Sequence, residues 1–233
     1  PSPTHRFVRN RLTETPRVMS ERTRSPKGIA AVLSRGFSGF RRPQPPREIP
    51  SGQYYETGFP VLTYGPTERV SQQDWKFTIE LGDGAMKSWN WDDLMAMPQT
   101  DIHTDIHCVT KWSMLDSDWK GVDLDVFFEQ AGLESEIAED YMMVRSFGGY
   151  TTNLPVADVR GGKAFIVHEF DGESITPEHG GPVRMIVPHL YFWKSAKWVE
   201  SIRFMEEDAP GFWETNGYHM YGDPWKEQRY WGD

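Results

Sequence analysis

The 233-residue chain contains one cysteine, Cys108. A single thiol excludes a disulfide framework, a cysteine-based zinc site and a self-contained iron–sulfur cluster. Long apolar runs are also missing from the N-terminal part, where the longest is the five residues from Ile29 to Leu33. A secretory core needs roughly 7–15 such residues and a membrane span about 20, so the expectation is a cytoplasmic protein without a membrane span. Segments with the length and period of crossover helices are missing as well, which argues against a doubly wound parallel sheet. Aromatic side chains, by contrast, are plentiful: ten Trp, nine Tyr and thirteen Phe can build a substantial core. The formal net charge of −9 argues against a nucleic-acid partner, but the charge is unevenly divided. Residues 1–48 carry eleven Lys/Arg against three Asp/Glu, and the remainder carries fourteen against thirty-one.

This division predicts a basic, Arg/Pro-rich N-terminal extension over residues 1–50, poorly ordered by its composition, and one acidic body over 51–233. Within the body, Trp75, Phe77, Ile79 and Leu81 alternate with polar residues, as in a half-buried strand. Asp83-Gly84 makes a turn, and Asn90 caps a short helix stopped at Pro98. Asp101–Thr110 alternates like a strand, and the aromatic segment Thr110–Met114 after Cys108 reads as turn-forming. Asp123 opens a helix whose Leu124, Phe127, Phe128 and Ala131 share a face, with Gly132 as its stop. Further strands are expected at 141–147, 164–170, 183–187 and 198–204. The fold class is therefore α+β, with short helices and many loops.

Three places could carry chemistry. Cys108 is either a small buried hydrophobe or a thiolate acting as nucleophile or soft metal ligand. His107 cannot easily share an ion with it, because adjacent side chains on a strand point to opposite faces. Arg184, Lys194 and Lys197 lie close in a strongly acidic body; they are either an anion pocket, plausibly for phosphate, or ordinary surface charges flanking strands. Tyr150, after Gly148-Gly149, either aims a phenol into a cleft from a loop or covers a strand end.

Taken in order, these pieces resemble the sulfite oxidase family, whose molybdopterin-binding domain covers about residues 52–232. The resemblance rests on Asp105–Met114 around Cys108, Trp119–Val122, Tyr150–Pro155, His179–Arg184, Val187-Pro188, Lys194–Trp198 and the tail Gly211–Trp225. It implies a mixed-sheet, sulfite oxidase-type fold and a molybdenum–molybdopterin (Mo-MPT) cofactor. On the same ground, Cys108 is the metal ligand and Tyr150 a catalytic residue near it. His179, Arg184, Ser195, Ala196, Lys197 and Ser146 are implied as cofactor contacts, and Thr63 and Tyr64 stand where the family carries its N-terminal contact segment. That segment departs from the family here, reading Phe59–Gly65 without the usual Arg-Asn signature, and the dimerisation domain of true sulfite oxidases has no counterpart.

The expected activity is a bacterial-type oxidoreductase transferring an oxygen atom to or from a small sulfur- or nitrogen-oxide substrate. With no haem or cluster motif in the sequence, electrons would pass to a separate partner. The alternative is a non-catalytic, cofactor-binding or partner-docking protein on the same fold. Oligomeric state is not legible.

Overall fold

The computed structural model describes residues 42–233, so the expectation of a poorly ordered extension lies mostly outside the described residues. Residues 42–50 form no regular element. The Arg42 guanidinium sits 3.6 Å from the centre of the Tyr54 ring, and Arg47 donates to Asp105 and Asp116.

Two sheets make the body. The six-stranded sheet comprises β1 (Tyr54–Tyr55), β4 (Thr100–His107), β5 (Trp112–Asp123), β8 (Phe165–Phe170), β9 (Glu173–Ser174) and β10 (Arg184–Ile186). The five-stranded sheet runs in the order β3 (Met86–Asn90), β2 (Lys76–Glu80), β11 (Val199–Met205), β6 (Tyr141–Ser146) and β7 (Thr151–Pro155). Most pairs are antiparallel; β1–β5 and β11–β2 are parallel. Three short helices complete the body: α1 (Trp91–Ala96), α2 (Leu124–Gln130) and α3 (Phe212–Thr215). Among the described residues no helix is long and apolar enough to cross a membrane.

Strand periodicity builds two apolar layers. Phe77, Ile79, Val144 and Ile202 of the five-stranded sheet meet Val122, Ile166 and Met185 of the other sheet, with Phe127 and Phe128 of α2 packed among them. Successive strand residues point to opposite faces. Phe165, Val167 and Ile186 therefore face the other way, into a second cluster with Trp112, Trp119 and Tyr191. The candidate site lies on this second side.

The Asn90 cap is a full capping box, with Asn90 and Asp93 each bonding the other's backbone N–H. One expectation is corrected. The segment from Thr110 to Met114, expected as a turn-forming stretch, is a turn only to Lys111 and then opens the twelve-residue strand β5. Of the two readings of Tyr150, a loop or a strand end, the second fits: Gly148-Gly149 is a turn and Tyr150 directly precedes β7. Trp112–Met114 pairs with β4 and β1, and β7 pairs with β6, so the backbone groups of both segments are satisfied in the sheets.

Candidate functional site

A cavity of about 300 Å³ opens on the second face, and its lining brings together most of the expected site residues: Cys108, Tyr150, Ser146, Arg184, Ser195 and Lys197. Thr63 and Tyr64 also line it, from the exposed side. Two expected residues do not line it. Ala196 is packed in the main core and contributes its backbone carbonyl to Met185 N–H. His179 stands behind the wall, its ring stacked on Phe59 at 3.9 Å between centroids.

Cys108 begins the turn joining β4 to β5. Lys111 N–H closes it onto Cys108 O at 2.9 Å, and Lys111 takes the left-handed conformation (φ 78°). The alternation expected of a strand holds: Cys108 lines the cavity, whereas the buried His107 ring bonds Ser113 Oγ at 2.8 Å and lies edge-on to Trp225. Burial pushes the Cys108 thiol up, opposed by the Thr110 hydroxyl, which donates to Sγ at 3.1 Å, and by the charge of nearby Arg229. Among the described residues no group of three or more His, Cys, Asp or Glu could hold a metal ion.

The cationic end is built by β10 and the loop after it. Arg184 is buried and donates to His179 O (2.7 Å) and Ser195 O (2.9 Å). Its guanidinium lies 4.3 Å from the Phe192 ring centre. Lys197 donates to Leu62 O (2.7 Å) and Glu178 O (2.6 Å). Gly180 packs so closely that a Cβ there would stand 2.8 Å from that of Lys197. Among the described residues neither cation has a carboxylate partner at salt-bridge distance. Burial holds Arg184 down to about 9, and burial with the charge of Arg184 holds Lys197 down to about 8. Burial and the same two charges hold His179 to about 4, so its ring is neutral. Two cations forced together without a counter-ion make a site that an anion would stabilise.

Lys194 belongs elsewhere, contrary to the anion-pocket reading that grouped it with Arg184 and Lys197. Its ammonium is buried against Glu214 Oε1 at 2.7 Å and also bonds Asn153 and Met220. Ser195 Oγ accepts from Val187 N–H at 2.9 Å, leaving its own proton free to donate. Tyr150 donates to Trp193 O at 2.6 Å, and burial drives its phenol well above its ordinary value.

Several residues escaped the sequence reading. Phe59, Trp112, Trp193, Trp213 and Tyr218 give the cavity aromatic walls. Arg229 is buried and bonds Val109 O, Ser51 O and Gln53 Oε1. Nothing in its local pattern marks it, because its partners lie more than a hundred residues away. Two polar atoms on the cavity wall, Ser146 Oγ and Trp112 Nε1, are buried without a hydrogen-bond partner.

The profile of the oxidoreductase molybdopterin binding domain matches residues 64–213. An uncharacterized oxidoreductase of Bacillus subtilis, YuiH, is 41% identical over 196 residues, spanning 83% of this chain and 98% of its own. The protein-methionine-sulfoxide reductase catalytic subunit MsrP of Ralstonia nicotianae is 25% identical over 85% of this chain and 64% of its own. In structure, the sulfane dehydrogenase SoxCD from Paracoccus pantotrophus superposes with a TM-score of 0.53 at 18% identity, over 60% of this chain and 40% of that one.

Proposed function

The chain belongs to the oxidoreductase molybdopterin-binding domain family, and from that premise we propose that the aromatic-walled cavity holds Mo-MPT and admits a neutral sulfoxide-type substrate. The residues present fit the cofactor. Cys108 offers one soft donor for the metal; Arg184, Lys197 and the Ser195 hydroxyl offer a phosphate clamp. The unpartnered Ser146 Oγ and Trp112 Nε1 offer a hydroxyl and an N–H to a polar ring. When bound, the cofactor supplies two-electron oxygen-atom transfer, which these side chains cannot perform alone.

The protein's own contributions follow from the geometry. Thr110 and Arg229 favour the thiolate form of Cys108 against the cost of burial. Phosphate on Arg184 and Lys197 would relieve their mutual repulsion. Tyr150 spends its proton on Trp193 O, so it presents its ring to the cavity and would orient a substrate only by giving up that bond. The largely apolar, aromatic lining lowers the local dielectric, which strengthens polar contacts inside.

The pair of cations on the same cavity as the sole thiol, Arg184 buried and Lys197 half-buried, with no carboxylate partner among the described residues, carries this reading. It also bears on substrate. Among the described residues Arg184 and Lys197 are the only cationic side chains lining the cavity, and a phosphate would use both. None is left for a dianion such as sulfite, whereas the aromatic walls suit a neutral, apolar-substituted sulfoxide. With a single cysteine in the sequence, electrons are proposed to come from a separate partner. Molybdenum-loaded protein assayed with dimethyl sulfoxide, methyl phenyl sulfoxide, trimethylamine N-oxide and sulfite tests the choice. Sulfoxide reduction by reduced viologen without sulfite oxidation by ferricyanide is expected; preferred sulfite turnover would reverse the assignment.

A further inference from the structure

One buried charged group beside the cavity is used by nothing above. Glu214, on α3, is fully buried, and its Oε1 accepts from three donors: Lys194 Nζ (2.7 Å), Trp193 Nε1 (2.8 Å) and Thr152 Oγ1 (3.1 Å). Its Oε2 is buried without a partner. The carboxylate thus ties α3 to β7 and to the segment Phe192–Lys194. Trp193 is the wall residue it holds. That indole stacks on Tyr191 (5.3 Å) and meets Tyr218 edge-on (5.0 Å), and Tyr218 stacks on Trp213 (4.9 Å). The Trp193 carbonyl in turn receives the Tyr150 hydroxyl.

Two glycines close the arrangement from behind. A Cβ at Gly222 would stand 2.8 Å from Trp193 Cζ2, and one at Gly211 would stand 2.7 Å from Glu214 Oε2. Neither the indole nor the carboxylate has room to retreat. A buried ion pair contributes little net stability over an apolar pair of the same volume, so stability is a poor reason for this one. What a multiply bonded carboxylate does fix is geometry.

We propose that Glu214, held by Lys194, is a positioning residue that sets the Trp193–Tyr150 wall and so determines the size of group the cavity admits next to Cys108. This rests on the reading of the cavity as the substrate site, but its central test needs neither cofactor nor substrate. Cys108 is the only thiol, so its alkylation in cofactor-free protein reports access through that wall. Two variants separate charge from position. Glu214→Asp keeps a carboxylate for Lys194 but withdraws the acceptor from Trp193 by about one C–C bond, ~1.5 Å. The double variant Lys194→Met with Glu214→Met removes both charges, retains volume and leaves Trp193 unheld.

The rate of N-ethylmaleimide relative to the smaller iodoacetamide is expected to rise by about tenfold in either variant, as sub-ångström to ångström displacements of positioned groups allow. In molybdenum-loaded protein, the KM for methyl phenyl sulfoxide should change while kcat for dimethyl sulfoxide holds. Should Glu214→Asp fail to fold, the double variant decides. An unchanged alkylation ratio in folded variants overturns the proposal. So does an equal rise in Phe128→Leu, a core change used as a control for general loosening. Loss of sulfoxide turnover in the wild type would instead strike at the substrate reading and leave the alkylation result standing.

Discussion

At the scale of single residues, charge without a partner is the most informative feature, and it makes pH the natural probe. Lys197 would titrate near 10.5 in an unfolded chain and is held at about 8 by burial and by Arg184. Between those values the folded protein binds fewer protons, so cofactor-free protein gains stability as pH rises from 8 to 10.5; below 8 the cost of the half-buried ammonium is fully present. Anion binding runs the other way, because only the ammonium form attracts phosphate. Titration calorimetry with inorganic phosphate should show affinity weakening about threefold from pH 7.5 to 8.5, following the protonated fraction of Lys197. Lys197→Met should bind more weakly at 7.5 and lose most of that pH dependence. At Cys108 the expected outcome concerns the metal: Cys108→Ser should retain less than about a tenth of the wild-type molybdenum, since a hydroxyl is a far harder donor than a thiolate. Elemental analysis with parallel pterin fluorescence checks it. Equal metal in the two proteins removes Cys108 from the ligand role. Both residues stood out in the sequence for physical reasons, one as the sole thiol and the other as a cation in an acidic body. Lys194 looked the same and was not: no local pattern distinguishes an ammonium bonded only to backbone carbonyls, as at Lys197, from one that meets Glu214, twenty residues away.

At the scale of elements, legibility followed how local the cause is. The cap at Asn90 and the apolar face of α2 depend on neighbours three or four residues apart, so they could be read directly. Strand β2 could be read from its alternation. Strand β5 could not, because its Trp112, Ser113, Met114 and Leu115 are all buried and leave no period of two to detect. The turn after Cys108 was legible but its end was not: Lys111 occupies a left-handed position usually signalled by glycine or asparagine, and the chain enters β5 at the next residue. The two readable helix features should differ in energetic weight. Phe128→Ala empties a fully buried site between the sheets and should cost about 3–5 kcal/mol. Asn90→Ala removes one side of an exposed capping box and should cost about 1 kcal/mol. Urea unfolding of both variants gives the comparison; a cap variant costing as much as the core variant would mean α1 anchors more than its own first turn.

At the scale of the molecule, two fields compete over any charged ligand. The sequence beyond residue 48 carries fourteen Lys/Arg against thirty-one Asp/Glu, while the cavity concentrates Arg184 and Lys197. The first acts at long range and the second only at contact, because the screening length falls from about 30 Å at 0.01 M salt to about 8 Å at 0.15 M. The division of charge was plain in the composition. The placement of both cations on one cavity was not, since it depends on β10 pairing with β8 and on the following loop folding back. A neutral sulfoxide should ignore the outer field, so its kcat/KM should change by less than about twofold over that salt range. An anionic sulfur substrate should be repelled at low salt and gain several-fold as salt rises, until screening reaches the clamp itself. Measured on the same molybdenum-loaded protein, the two salt profiles identify which field the substrate crosses. A neutral sulfoxide with a steep salt dependence would mean that binding of the electron partner or donor, rather than of substrate, limits the rate, and exchanging a cationic viologen for a neutral reductant would then flatten the curve.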